Sequence, residues 1–156
     1  MALPVIPNNM LARSAELAQL LGTNDAVIAV LIQSSGLEAS GTLQDYDTVA
    51  QIFTVNNLVP TFSGYARITA TGVVATPSDV SNNMSVDCAD FVWNPTSAQA
   101  IGAIIIAYDY DTTSGTDTTL YPLFIDACSG TTGTGGAGTP FTYQVASGGF
   151  ITAVQA

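Results

Sequence analysis

Apolar positions along this chain gather into two long runs, AIGAIIIAYDY and TTLYPLFIDA, on either side of the polar stretch DTTSGTD. Apolar, β-branched and aromatic runs flanking a short loop with one glycine predict a buried antiparallel hairpin over residues 100–127. A third run, AVIAVLIQ at 26–33, is continuous rather than alternating, which predicts a strand buried on both faces.

Elsewhere the pattern is shorter and more varied. SGYARITATGVVA at 63–75 alternates, with Tyr65, Arg67, Thr69 and Thr71 on one face and Ala66, Ile68 and Ala70 on the other. TPSDVSNN at 76–83 has the Pro and Asn chemistry of a loop. MSVDCADFVW at 84–93 changes parity before Phe91 and Trp93, which predicts a bulge near Ala89 or Asp90. After a loop at 129–140 with five glycines, expected to be mobile, two strands at 141–146 and 150–154 are predicted to form a glycine-turned hairpin through 147–149. Turn signals every 8–12 residues after position 60 predict a mainly β fold, an antiparallel β-sandwich or small barrel of about seven to eight strands.

The helical period is confined to the N-terminal third. Asn8 or Asn9 can cap a helix over MLARSAELAQLLG, with Met10, Leu17 and Leu21 on one face and Gly22 as its stop. A second, short helix is predicted over 43–53 from Leu43, Tyr46, Val49 or Ala50, and Phe53, ended by Asn56, Asn57 and Pro60. Before the first helix, ALPVIP reads as an extended arm. Its Leu3, Val5 and Ile6 are costly to leave in water, so the arm is expected to dock on a neighbouring subunit. The organisation is therefore an arm and helix at 1–22 and one β-sandwich domain at 23–156. At 156 residues the chain can hide about 68–70% of its unfolded surface without staples.

Charge narrows the partners. Twelve acids face two bases, Arg13 and Arg67, with no lysine or histidine, for a formal charge of −10. A phosphate backbone must be neutralised by Lys and Arg, so the charge argues against nucleic acid and disfavours anionic membrane surfaces, and neither is expected as a partner. The longest apolar run, seven residues, falls far short of the roughly 20 that span a bilayer. The N-terminus lacks the basic residues of a secretory signal and carries two prolines, so synthesis in the cytoplasm is expected.

Without histidine or lysine the usual general bases are gone, which leaves carboxylate chemistry. Asp87 with Asp90, or Asp109 with Asp111, is the pairing a glycosidase would need, but Asp at strand ends and turns commonly serves solvation. No enzyme is expected, and no catalytic residue is singled out. Asp109, Asp111 and Asp117 could converge on calcium, yet glycine stands seventh rather than sixth in the loop and Leu120 takes the place of the twelfth-position Glu. No cofactor or metal is expected. Cys88 and Cys128 fall in apolar runs and are read as buried free thiols, with a bridge left open.

The strand Ile104-Ile105-Ile106-Ala107-Tyr108, the loop from Asp111 to Thr119, the strand Leu120-Tyr121-Pro122-Leu123-Phe124-Ile125-Asp126 and the glycine-rich loop before two last strands resemble, in that order, the small head decoration (cement) or minor capsid proteins of tailed bacteriophages. The resemblance implies a non-enzymatic virion protein, made in the host cytoplasm, that binds the outside of the assembled capsid, stabilises or decorates it, and forms homo-oligomers. Its partner would be the major capsid protein. The residues expected to make capsid or subunit contacts are Leu3, Val5, Ile6, Met10 and Leu11. A tail or spike component of the virion, and a secreted adhesin, pilus subunit or carbohydrate-binding module, are the alternatives.

Overall fold

β-branched and apolar side chains dominate the elements that form the centre of the molecule. The computed structural model of the chain describes residues 4–8, 22–54, 56–80, 83–114, 116–128, 131–132 and 139–154. Its strands are β1 (Ala26–Gln33), β2 (Ile68–Thr69), β3 (Val74–Ser78), β4 (Asn83–Asp87), β5 (Phe91–Trp93), β6 (Gln99–Asp109), β7 (Leu120–Ala127), β8 (Thr131–Thr132), β9 (Phe141–Tyr143) and β10 (Ile151–Val154). The fold is mainly β, and every pairing is antiparallel.

The predicted hairpin is present as β6 and β7, the middle and one flank of a sheet ordered β2-β1-β6-β7, with β8 also on β6. Alternation along β1 and β6 sends side chains to opposite faces. Val27, Ala29, Leu31, Ile104, Ile106 and Tyr108 enter one core, whereas Val30, Ile32, Ala103, Ile105 and Ala107 enter the other. The first core is closed by Val86, Phe91, Trp93, Phe141, Phe150 and Ile151 from the strands beyond, and the second by Leu43, Val49, Ile52 and Val5. AVIAVLIQ is thus buried on both faces, as its unbroken apolar run predicts. Pro122, which has no N–H for a ladder, sits where the register with β6 slips: Ile106 faces Phe124 and Ala107 faces Pro122, leaving Leu123 as the extra residue.

The helix predicted over 43–53 is two single turns, α1 (Ser40–Leu43) and α2 (Val49–Ile52). The break has a local cause. Thr48 and Gln51 form a capping box, and the Gln51 Oε1 accepts from the backbone N–H of Asp47 at 2.7 Å and of Thr48 at 3.2 Å, so a new helix starts where the old period would have run through. The helix predicted from Met10 to Leu21 lies outside the described residues, as does most of the 129–140 loop.

Three further expectations are corrected by long-range pairing. Of the 63–75 stretch only β2 (Ile68–Thr69) and the first two residues of β3 (Val74–Ser78) are strand, and the two belong to different sheets. Pro77 lies within β3 rather than in a loop, on the strand at the end of the order β10-β4-β3, the position in a sheet where proline is tolerated. The last two strands do not pair with each other: β9 pairs with β5 and β10 with β4. Residues 83–93 and 141–154 form one antiparallel ribbon, interrupted where a bulge was expected in 84–93, so that its halves fall in two sheets. At the interruption the Asp87 carboxylate accepts from the Cys88 N–H at 2.9 Å and the Asp90 carboxylate from the Val145 N–H at 2.9 Å.

Candidate functional site

Strand register brings Asp25, Tyr108 and the acids of the loop between β6 and β7 to one end of the central sheet. Ala26 faces Asp109, Asp109 faces Leu120, and Tyr108 faces Tyr121, so Asp25, the end of β6 and the loop before β7 converge there. The Tyr108 hydroxyl donates to Asp25 Oδ2 at 2.5 Å, and the Gly22 N–H donates to the same oxygen at 3.2 Å. Burial, with this bond to a carboxylate, pushes the Tyr108 phenol up to about 12.

Asp109 is buried, 4% exposed, and accepts from the Asp111 N–H at 3.0 Å. Asp111 in turn accepts from both the hydroxyl and the N–H of Thr113, which hold its carboxyl below the usual range. Arg67 Nη1 lies 2.5 Å from Asp117 Oδ1, and that bond raises the guanidinium above its ordinary value. The three carboxylates that could have converged on calcium are therefore committed to their own loop and to Arg67. Among the described residues no group of three His, Cys, Asp or Glu side chains could hold a metal ion.

Beside these acids the rings of Tyr110 and Tyr121 stack, with centroids 6.0 Å apart and planes 29° from parallel. Tyr110 is 46% exposed. This pair was not singled out from sequence, because it depends on a cross-strand register; its only local signal is an aromatic residue between two acids, Asp109-Tyr110-Asp111.

No family model, curated protein or solved structure matches this chain. Its reading rests on its own residues.

Of the five residues expected to contact a capsid or subunit, Leu3, Met10 and Leu11 lie outside the described residues. Val5 is 6% exposed in the chain's own second core. Its N–H donates to Ile125 O at 2.7 Å, and its carbonyl accepts from the Ile125 N–H at 2.8 Å. Ile6 is half-buried against the first core. Asn8 continues the docking, with its N–H to Gln44 O at 2.9 Å and its side chain to Asp45 at 2.8 Å. The arm therefore covers the edge of β7 in its own subunit, and Val5 is spent there. Among the described residues the large apolar side chains left exposed are instead Val80 at 97%, Val74 at 55%, Leu58, Val92, Val59 and Tyr110.

Cys88 and Cys128 are buried free thiols in the first core. Burial pushes both up to about 12, with Asp87 and Asp90 adding to the effect at Cys88 and Asp126 at Cys128. The Tyr143 hydroxyl donates to Asp126 at 2.7 Å and is likewise raised, mainly by burial. A thiol held protonated is a poor nucleophile. Ellman's reagent at pH 8 is expected to label neither cysteine in the native protein and both in denaturant.

The linkage has a definite sign. A folded value above the unfolded one means that the native state holds its protons longer, so stability is complete below the ordinary thiol value of 9.0 and is lost as pH rises toward about 12. The urea midpoint should fall between pH 8 and pH 11, and equal midpoints would contradict the burial of these groups.

Proposed function

We propose that this chain is a non-enzymatic structural protein of a tailed-phage virion that binds the outside of the assembled capsid and stabilises or decorates it. The major capsid protein is its partner, copies of the chain associate with one another, and it reaches the capsid surface after synthesis in the host cytoplasm.

The observation that carries this reading is where unsatisfied chemistry remains. Among the described residues every buried side-chain nitrogen or oxygen has a hydrogen-bond partner, and the two thiols are held protonated in the core. Val80, Val74 and Tyr110, by contrast, face solvent on a body of charge −10. Among the described residues the interior holds no buried polar side chain awaiting a partner, which favours a binding role over a buried pocket that reacts. The resemblance of residues 104–126, in their order of strand, loop and strand, to decoration proteins supports the same reading.

Co-sedimentation with capsids assembled from the major capsid protein of the same genome tests it. The chain is expected to pellet in copy numbers comparable to the capsid subunit. A few copies per virion would assign it to the tail or spike, and specific binding on a glycan array without capsid association would assign it to the adhesins or carbohydrate-binding modules.

A further inference from the structure

The arm at the start of the chain is held to the central sheet by very little backbone. Val5 makes one bridge pair with Ile125, two hydrogen bonds of 2.7 and 2.8 Å, and the pair is an isolated one. Pro4 and Pro7 bracket it, and neither has an N–H with which a ladder could grow. On the β7 side growth is stopped as well: Ala127, two residues on and facing the same edge as Ile125, gives its N–H to the Asp126 carboxylate at 2.8 Å.

What the arm supplies to the sheet is specific all the same. Val5 fills the second core while Ile6 lies against the first, so the two residues straddle β7 as an outermost strand would. A slot of this shape accepts the same few residues from any copy of the chain. Charge then favours the arm as the element by which copies meet, because two bodies of −10 repel when their surfaces are pressed together, whereas residues 1–9 carry no charged side chain. Residues 9–21 join the arm to Gly22 and span about 20 Å as the helix that their pattern predicts, long enough to carry the arm to an adjacent body.

We propose that the slot on β7 is the site through which copies of this chain associate, by exchange of arms: Val5 of one copy pairs with Ile125 of the next and leaves its own slot for another arm. The proposal rests on the association of copies stated above and names its site. Exchange keeps every contact that the arm makes within one chain, so its cost is confined to the connecting segment. Reciprocal exchange closes a pair, and exchange in one direction builds a ring or a row.

Directly opposed residues that share both hydrogen bonds have Cα atoms about 5.5 Å apart, within reach of a disulfide. Val5→Cys and Ile125→Cys in one chain therefore report the pairing itself, and a mixture of Val5→Cys chains with Ile125→Cys chains reports exchange. The native thiols are buried and stay out of the reaction. With oxidised glutathione and no capsids, the double variant is expected to form its bridge, and the mixture to give a covalent dimer of one chain of each kind. About tenfold dilution should lower the yield of that dimer severalfold, as mass action requires. A mixture that stays monomeric, while the double variant closes an internal bridge at every concentration, would overturn the proposal. So would a double variant that forms no bridge, or an equal yield of dimer from Val5→Cys alone, since linking would then not need the slot. Linked dimers of a chain that capsids do not capture would sustain the exchange and remove the capsid reading. Capture by capsids of a chain that never links would do the reverse.

Discussion

Gly149→Ala is expected to lower the unfolding free energy by about 3 kcal/mol, from left-handed backbone strain and a steric overlap combined. Gly149 has φ of 85°, and a Cβ added there would lie 2.2 Å from the carbonyl oxygen of Val86. Neither problem can relax cheaply. The Gly149 N–H closes a turn onto Ala146 O at 2.7 Å, and the next residue, Phe150, donates to the same Val86 carbonyl at 2.9 Å while its ring fills the first core. The turn thus fixes where β10 meets β4, and a side chain would push apart the strands it aligns. Urea denaturation measures the loss; a variant within about 0.5 kcal/mol of wild type would show that this approach is not held in solution.

Ile104→Ala and Ile105→Ala are each expected to cost about 2–5 kcal/mol, because both side chains are wholly buried on opposite faces of one strand. The comparison is more informative than either value. In a two-layer sandwich with one face of this sheet in water, one of two successive residues would be nearly neutral to truncation. Here Ile104 packs in the core closed by the β4–β10 and β5–β9 ribbon, and Ile105 in the core closed by α1, α2 and Val5. Comparable losses in both variants establish that the helical turns and the arm form a true third layer. A loss below about 1 kcal/mol at Ile105 would mean that this layer covers the sheet only loosely.

The central elements were legible because their signal is local. Ile104, Ile105 and Ile106 in succession can be satisfied only by a strand with apolar partners on both sides, and the DTTSGTD loop can join β6 to β7 only as a hairpin. The end of the chain was not legible in the same way. Phe141 and Phe150 marked two strands correctly, and the glycines between them suggested that these strands pair. The aromatic side chains instead pack with Trp93 of β5 and Phe124 of β7, at ring separations of 5.8 and 6.2 Å, while the strands pair with β5 and β4. The candidate site divides likewise. The acids of the loop were visible, whereas their commitment to Arg67, Thr113 and one another, and the stacking of Tyr110 on Tyr121, required the register.

By itself, then, the amino-acid sequence determined the mainly β character, the hairpin at its centre, the two-sided burial of β1 and a surface almost without cations. Side-chain periodicity and composition act within a few residues, so they settle which faces leave water and which charges are present. Tertiary structure alone decided that the arm pairs with Ile125 of its own chain, that residues 83–93 and 141–154 form a single ribbon across two sheets, and that the rings of Tyr110 and Tyr121 stack across the hairpin. Each of these is a choice between partners far apart in sequence, made by how well the buried surfaces fit, and no local pattern encodes that fit.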